Sequence, residues 1–260
     1  MFRTRLVPVA MASIAVLGLP AAAHAAAHAA QPTAYRLIPN LRTLTPTGFV
    51  IQTVGSIRLL RFDNTIGNRS SGVMEIEPRA EDCDGNGDFE DDRTAYQRVY
   101  VDADGDRIFT RGVDTQFVVH EAGCFEFDIA HGHWHFKNVA EYDLVDPVTG
   151  DLVAVSVKVG SCLIDVGHPY PGIPGSPVSG YYSQCLADSI QGLSVGWADS
   201  YSADLDGQSI DITNVPDGVY CYVSTADPKN ELIERNDLDN SASRRLQIDG
   251  TEVTTLPGSC

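Results

Sequence analysis

Three histidines stand at alternate positions in the run His131-Gly132-His133-Trp134-His135. In an extended strand, residues i, i+2 and i+4 share a face, so the three imidazoles would point the same way. Imidazole-only ligation suits copper, zinc, iron or nickel, and intrinsic affinity favours copper. A straight strand would hold the outer two Cα atoms about 13 Å apart, at ~3.3 Å per residue. That is too far for one ion held by bonds near ~2 Å. The strand must therefore twist or bulge, and Gly132 permits it. The competing explanation is a polar face on an exposed strand, but three of the seven histidines of the chain are concentrated in these five residues.

Carboxylates carry a second chemistry. An acidic insert at 81–106 contains EDCDGNGDFEDD (Glu81 to Asp92) and DADGD (Asp102 to Asp106). Alternating carboxylates with intervening glycines can fold oxygens around a hard cation. Asp82, Asp84, Asn86, Asp88, Asp102, Asp104 and Asp106 are the candidate calcium ligands. The full twelve-residue EF-hand pattern is absent, so a solvated acidic loop is the plain alternative.

The elements that must position these groups read as strands. Ile57 to Phe62, Gln97 to Val101, Gln116 to His120, Leu152 to Val159, Ser209 to Thr213, Gly218 to Thr225 and Arg244 to Ile248 are rich in β-branched and aromatic residues between turn formers. No long helical period appears. The expectation is an all-β, sandwich-like single domain over 32–260, with long loops and little helix.

Residues 1–25 have the grammar of a secretory signal: Arg3 and Arg5, an apolar run from Leu6 to Leu19, and Ala23-His24-Ala25. The apolar run is shorter than the ~20 residues a spanning helix needs, so no membrane anchor is expected. Residues 26–31 would be a leader remnant. Six cysteines, an even number, suit disulfides in an exported chain, extracellular or periplasmic. The 18 Lys+Arg against 35 Asp+Glu leave a net charge of -17, which disfavours nucleic acid and favours cationic partners.

Longer stretches resemble the catalytic domain of the lysyl oxidase family. They are LLRFDNTIGN (Leu59 to Asn68), HGHWHFKNVAEYDLVD (His131 to Asp146), VKVGSCLID (Val157 to Asp165), QGLSVGWADSYSADLDGQSIDITNV (Gln191 to Val215) and DGVYCYVSTADPKNELIERNDLDNSA (Asp217 to Ala242). The resemblance implies an amine oxidase that binds copper(II) through His131, His133 and His135. It also implies a lysine tyrosylquinone cofactor made from Lys158, four residues before Cys162-Leu163-Ile164-Asp165, and Tyr201, which precedes Ala203-Asp204-Leu205-Asp206. The expected reaction is oxidative deamination of a primary amine or peptidyl lysine by O2 to an aldehyde, hydrogen peroxide and ammonia. Taken alone, Lys158 would read as a surface charge and Tyr201 as a core aromatic.

Asp204 and Asp206, with Asp211 behind them, are candidates for the general base by closeness to Tyr201. The family match implies a bridge between Cys162 and Cys185. The other four cysteines allow three pairings, with Cys83 to Cys124 and Cys221 to Cys260 preferred. Ala130 and Gly207 stand where animal members have Cys, so some of their disulfides must be missing. His168, in the Pro- and Gly-rich loop after Asp165, has the chemistry of a gate or an acid-base group, but a satisfied loop histidine is the expectation. Two other functions remain open from sequence: a three-histidine metal-dependent oxygenase or hydrolase without a quinone, and a non-enzymatic calcium-stabilised binding module.

Overall fold

A computed structural model describes residues 34–87, 90–156, 160–258 and 260. The expected leader, Asp88 and Lys158 lie outside the described residues. The strands, in chain order, are β1 (Arg36–Leu37), β2 (Leu41–Thr43), β3 (Thr47–Val54), β4 (Ile57–Asn68), β5 (Met74–Arg79), β6 (Asp92–Val101), β7 (Phe117–Asp128), β8 (His133–Lys137) and β9 (Ala140–Val145). They continue with β10 (Leu152–Val155), β11 (Gly160–Ser161), β12 (Gln191–Leu193), β13 (Ala198–Tyr201), β14 (Ser209–Asp211), β15 (Gly218–Ala226), β16 (Ser241–Asp249) and β17 (Glu252–Thr255). A single 3-10 turn, Asp237–Asp239, is the only helical element among the described residues. The chain is all-β, as its sequence leads one to expect.

Three antiparallel sheets share the work. One runs β11-β8-β7-β6-β5-β12 with β1 added to β6, the second runs β10-β9-β15-β16-β17, and the third gathers β13, β14, β2 and β3 around β4. Strand β4 shows why the pieces close. Leu60, Phe62, Asn64 and Ile66 alternate inward while Arg61 and Asp63 face outward, the two-residue period of a half-buried strand. Phe62 packs on Tyr142 of β9 at 4.9 Å and on Tyr222 of β15 at 4.6 Å between ring centroids, which joins two sheets face to face. Buried Asn64 is satisfied across the same interface, accepting from Ser224 Oγ at 2.9 Å and donating to Tyr142 Oη at 3.3 Å.

Strands β3, β5 and β9 are not among the expected runs. β5 carries Glu75, Glu77 and Pro78, a composition that disguises a strand. Buried Glu75 is tolerated because Arg98 (2.9 Å), Tyr100 (2.8 Å) and Tyr182 (2.6 Å) all donate to it and Arg111 reaches it at 3.3 Å. The disulfides are Cys83–Cys124, Cys162–Cys185 and Cys221–Cys260, with Cα separations of 5.7, 5.8 and 6.0 Å.

Candidate functional site

The histidine run is half turn and half strand. Residues 129–132 form a turn, and regular pairing resumes at His133, opposite Asp128 of β7. Gly132 adopts a φ of 70°, a left-handed conformation open to glycine at little cost. Asp128 closes the turn, accepting the His131 amide at 3.0 Å on Oδ1 and the Gly132 amide at 2.7 Å on its carbonyl. The chain thereby doubles back, and the wide outer spacing of a straight strand disappears.

The three rings converge. His135 Nε2 lies 3.0 Å from His133 Nε2 and 3.3 Å from His131 Nδ1. Ligands on bonds of ~2.0–2.1 Å stand about 2.9 Å apart at right angles and about 3.4 Å apart in a tetrahedron, so the spacing suits one ion. Asp128 Oδ2 holds His135 Nδ1 at 3.1 Å, the carboxylate-behind-imidazole arrangement that fixes a ligating ring. His131 Nε2 is buried without a hydrogen-bond partner. Despite the cost of partial burial, the His131 amide and the two neighbouring imidazoles hold the Asp128 carboxyl below its ordinary pKa. Gly160 of β11 seats against the back of His135, where a Cβ would meet the histidine Cβ at 3.3 Å.

Tyr201 enters the same pocket from another sheet. It ends β13, paired with Asn64 of β4, and its hydroxyl donates to the Cys162 carbonyl at 2.9 Å and in a very short contact to Asp199 Oδ2. Burial first, and then the Asp199 carboxylate, push the Tyr201 phenol well above its usual pKa. Asp199 is itself buried, and the Ser200 amide donates to it at 2.8 Å. Both walls face a cavity of about 440 Å³, lined by His131, His133, His135, Asp199 and Tyr201, with Leu205 and Ile164 among its apolar margin. A smaller hollow of about 280 Å³ over Phe109 and Arg111 is lined by none of the histidines.

Cys162 ties these walls together. It follows β11, which pairs with β8, and its disulfide partner Cys185 accepts the Trp134 amide at 2.9 Å. Gln191 bridges the same region, donating to the Trp134 carbonyl at 2.8 Å and accepting from the Leu163 amide at 2.9 Å. The described residues on either side of Lys158 are anchored. Ser156 donates its amide to the Tyr142 carbonyl at 2.9 Å, and Gly160 pairs with Lys137.

Asp204 and Asp206 flank Leu205 but are themselves exposed and do not line the cavity. Asp204 accepts the Ser202 hydroxyl, which lowers its pKa, and Asp211 accepts the Thr213 amide at 2.8 Å. The carboxylate beside the phenol is Asp199, which closeness on the C-terminal side of Tyr201 did not suggest. Its signal was available: residues two apart on a strand share a face. His168 stacks on Trp197 at 4.3 Å and meets Ser176 Oγ at 2.7 Å, a satisfied loop residue outside the cavity. Asp165 anchors that loop, accepting the Tyr181 and Tyr182 amides at 2.7 and 3.1 Å and the Ser194 hydroxyl at 2.6 Å.

Beyond this geometry, the lysyl oxidase family model matches residues 91–258. The chain belongs to the lysyl oxidase family. The match takes in both walls of the pocket and begins after Asp82 and Asp84. Lysyl oxidase homolog 1 of Bos taurus is 31% identical over 132 residues, 50% of this chain and 21% of that protein. Protein-lysine 6-oxidase of Sus scrofa is 35% identical over 123 residues, 46% of this chain and 45% of that protein. Lysyl oxidase homolog 4 of Mus musculus is 34% identical over 124 residues, 15% of its own length. This lysyl oxidase family chain thus spans less than half of each of these relatives. Among the described residues no helix is long and apolar enough to cross a membrane.

Proposed function

We propose that the chain is an exported, copper- and quinone-dependent amine oxidase that converts a primary amine, water and O2 into an aldehyde, hydrogen peroxide and ammonia. The observation that supports this most is the shared cavity, in which three convergent imidazoles and a buried tyrosine face one another. His131, His133 and His135 would hold copper(II), and Tyr201 with Lys158 would supply lysine tyrosylquinone. Those residues would thereby hold the groups whose redox chemistry the reaction requires.

The remaining work falls to the chain's own groups. Asp128 orients His135 by holding its Nδ1. Asp199 accepts the Tyr201 hydroxyl proton in a hydrogen bond and is the carboxylate placed to take a proton from a substrate beside that ring. Ile164 and Leu205 give the cavity an apolar rim that limits water around the reacting groups. The charge of -17 draws ammonium-bearing substrates, peptidyl lysine or small amines, toward the chain. The secretory-signal pattern read at 1–25 supports export, and three disulfides fit an oxidising compartment.

The test is a digest of copper-loaded, aerated protein examined by mass spectrometry, together with phenylhydrazine labelling and a peroxide-release assay across a panel of amines. A Lys158–Tyr201 cross-linked peptide that reacts with phenylhydrazine is expected, with Lys158→Met inactive. An intact, unmodified Tyr201 in that preparation overturns the proposal. Activity that survives Lys158→Met and Tyr201→Phe but fails on His133→Ala would instead select a quinone-free oxygenase or hydrolase.

A further inference from the structure

The two acidic loops look alike in sequence but differ in how their carboxylates are satisfied. In the 102–106 loop the acids are engaged by local amides. Asp102 accepts from Gly105 and Arg107 at 2.8 and 3.1 Å, Asp104 from Asp106 at 3.3 Å, and Asp106 from Ile108 at 2.7 Å. The buried acid beneath that loop, Asp114, uses both oxygens, on the Ala103 amide at 2.8 Å and the Thr110 amide at 2.7 Å.

The other loop is built around a different kind of residue. Asp82 accepts from Gly85 and Gly87 at 2.6 and 2.8 Å, and Asp84 from the backbone and side chain of Asn86 at 2.9 and 3.0 Å. Asp92, at the start of β6, is only 1% exposed. Its Oδ2 accepts the Cys83 and Asp84 amides at 2.9 and 3.0 Å, whereas its Oδ1 is buried with no hydrogen-bond partner. One oxygen from each of Asp82, Asp84 and Asp92 lies within 4.8 Å of the other two. A buried carboxylate oxygen without a partner is costly, and a cluster of three carboxylates compounds that cost through repulsion.

We propose that Asp82, Asp84 and Asp92 form a cation site for an ion of calcium's size and hardness, with buried Asp92 as its anchor. Oxygen-only donors select hard cations. Calcium–oxygen bonds of ~2.3–2.6 Å span oxygens up to about 5 Å apart, while magnesium at ~2.0–2.1 Å requires a tighter cage. This site is distinct from the histidine cluster and does not rest on the oxidase reading. Its position gives it a structural consequence. Asp92 pairs with Glu126 on β7, the Phe127 amide donates to the Asp91 carbonyl at 3.2 Å, and the loop is bonded to β7 through Cys83–Cys124. β7 ends at Asp128, the carboxylate behind His131 and His135. A bound cation therefore braces the strand end that carries the histidine turn.

Calorimetric titration of the chelator-stripped full chain with calcium, and separately with magnesium, tests the proposal. Asp92→Asn should lower the calcium stoichiometry by one per chain or weaken one site at least tenfold, and should abolish part of the calcium-dependent rise in Tm. Asp104→Asn should leave both unchanged. Because Asp92 is buried, Asp84→Asn at an exposed position provides the same reading should Asp92→Asn fail to fold. Unchanged calcium stoichiometry and affinity in Asp84→Asn, or no calcium bound by the parent chain at millimolar concentration, overturns the proposal. A preference for magnesium over calcium overturns the assignment of ion size.

Discussion

The histidine wall of the pocket is assembled within eight residues, from Asp128 to His135, by one turn and one glycine with a positive φ. The tyrosine wall has no such economy. Tyr201 reaches its place through pairing with Asn64, through the Cys162 carbonyl, and through Asp199, so its contacts span up to 137 positions of sequence. Each wall is therefore vulnerable in its own way. The first depends on its own donors and on a half-buried carboxylate, so replacing one ligand is expected to remove metal and leave the fold. The second is a buried polar knot whose parts are held by separate sheets.

The largest effects should separate the two walls by what each one loses. His133→Ala is expected to remove bound copper and to lower peroxide release by at least about 10³-fold, several kcal/mol of barrier. Tyr201→Phe should abolish turnover and phenylhydrazine labelling while metal analysis still finds copper. Retention of copper by the first variant, or its loss from the second, would break the division.

Within the tyrosine wall, Asp199→Asn should reduce turnover about 10²-fold, the usual scale for a positioned acid or base. Asp204→Asn should change it less than about threefold, because Asp204 is exposed and bonded to Ser202. Equal effects from the two would return the base to the loop after Tyr201. Next in size, replacing Cys162 and Cys185 together with Ser should cost about 2–4 kcal/mol in denaturant unfolding, with the tyrosine wall losing activity before the histidine wall loses metal.

The smallest expected effect lies away from both walls and serves as their control. Burial first, and then Glu141, raise the Asp143 carboxyl to about 6 from 3.8. The folded chain therefore holds this proton more tightly than the unfolded one, and the associated stability is present below about pH 4 and lost as pH rises to about 6. Asp143 is partly exposed, so solvent screening limits the effect to about 1 kcal/mol at most. Asp143→Asn should flatten that part of the stability profile and leave copper content untouched.

Much of the fold was legible because its strands carry a period of two. Leu60, Phe62 and Ile66 announce the inward face of β4, and Tyr220 and Tyr222 that of β15. β5 escaped because its buried acid, Glu75, is paid for by arginines and tyrosines far away in sequence. The histidines were legible as a donor set, and so was a break at Gly132, which has a φ of 70°; the extent of the break was not, since 129–132 form a full turn rather than a twist or bulge within one strand. Asp128 and Asp199 were missed for related reasons, one standing before a turn and the other before its tyrosine.

The sequence alone supplied the donor set and the family resemblance, because residue types are covalent facts: three imidazoles in five residues, a tyrosine and a lysine in motifs resembling one family, and acids clustered at 81–106. It also determined the all-β character, because alternation and turn residues act locally. The tertiary structure was needed to show which carboxylates stand beside the imidazoles, beside the phenol and within the first acidic loop. Among the 35 acidic residues, Asp199 and Asp92 stand apart by burial, and half-buried Asp128 by the two imidazoles it faces. Burial removes the water that would satisfy and screen a carboxylate, so its remaining neighbours set its role. Those neighbours are assembled by strand pairing between distant segments.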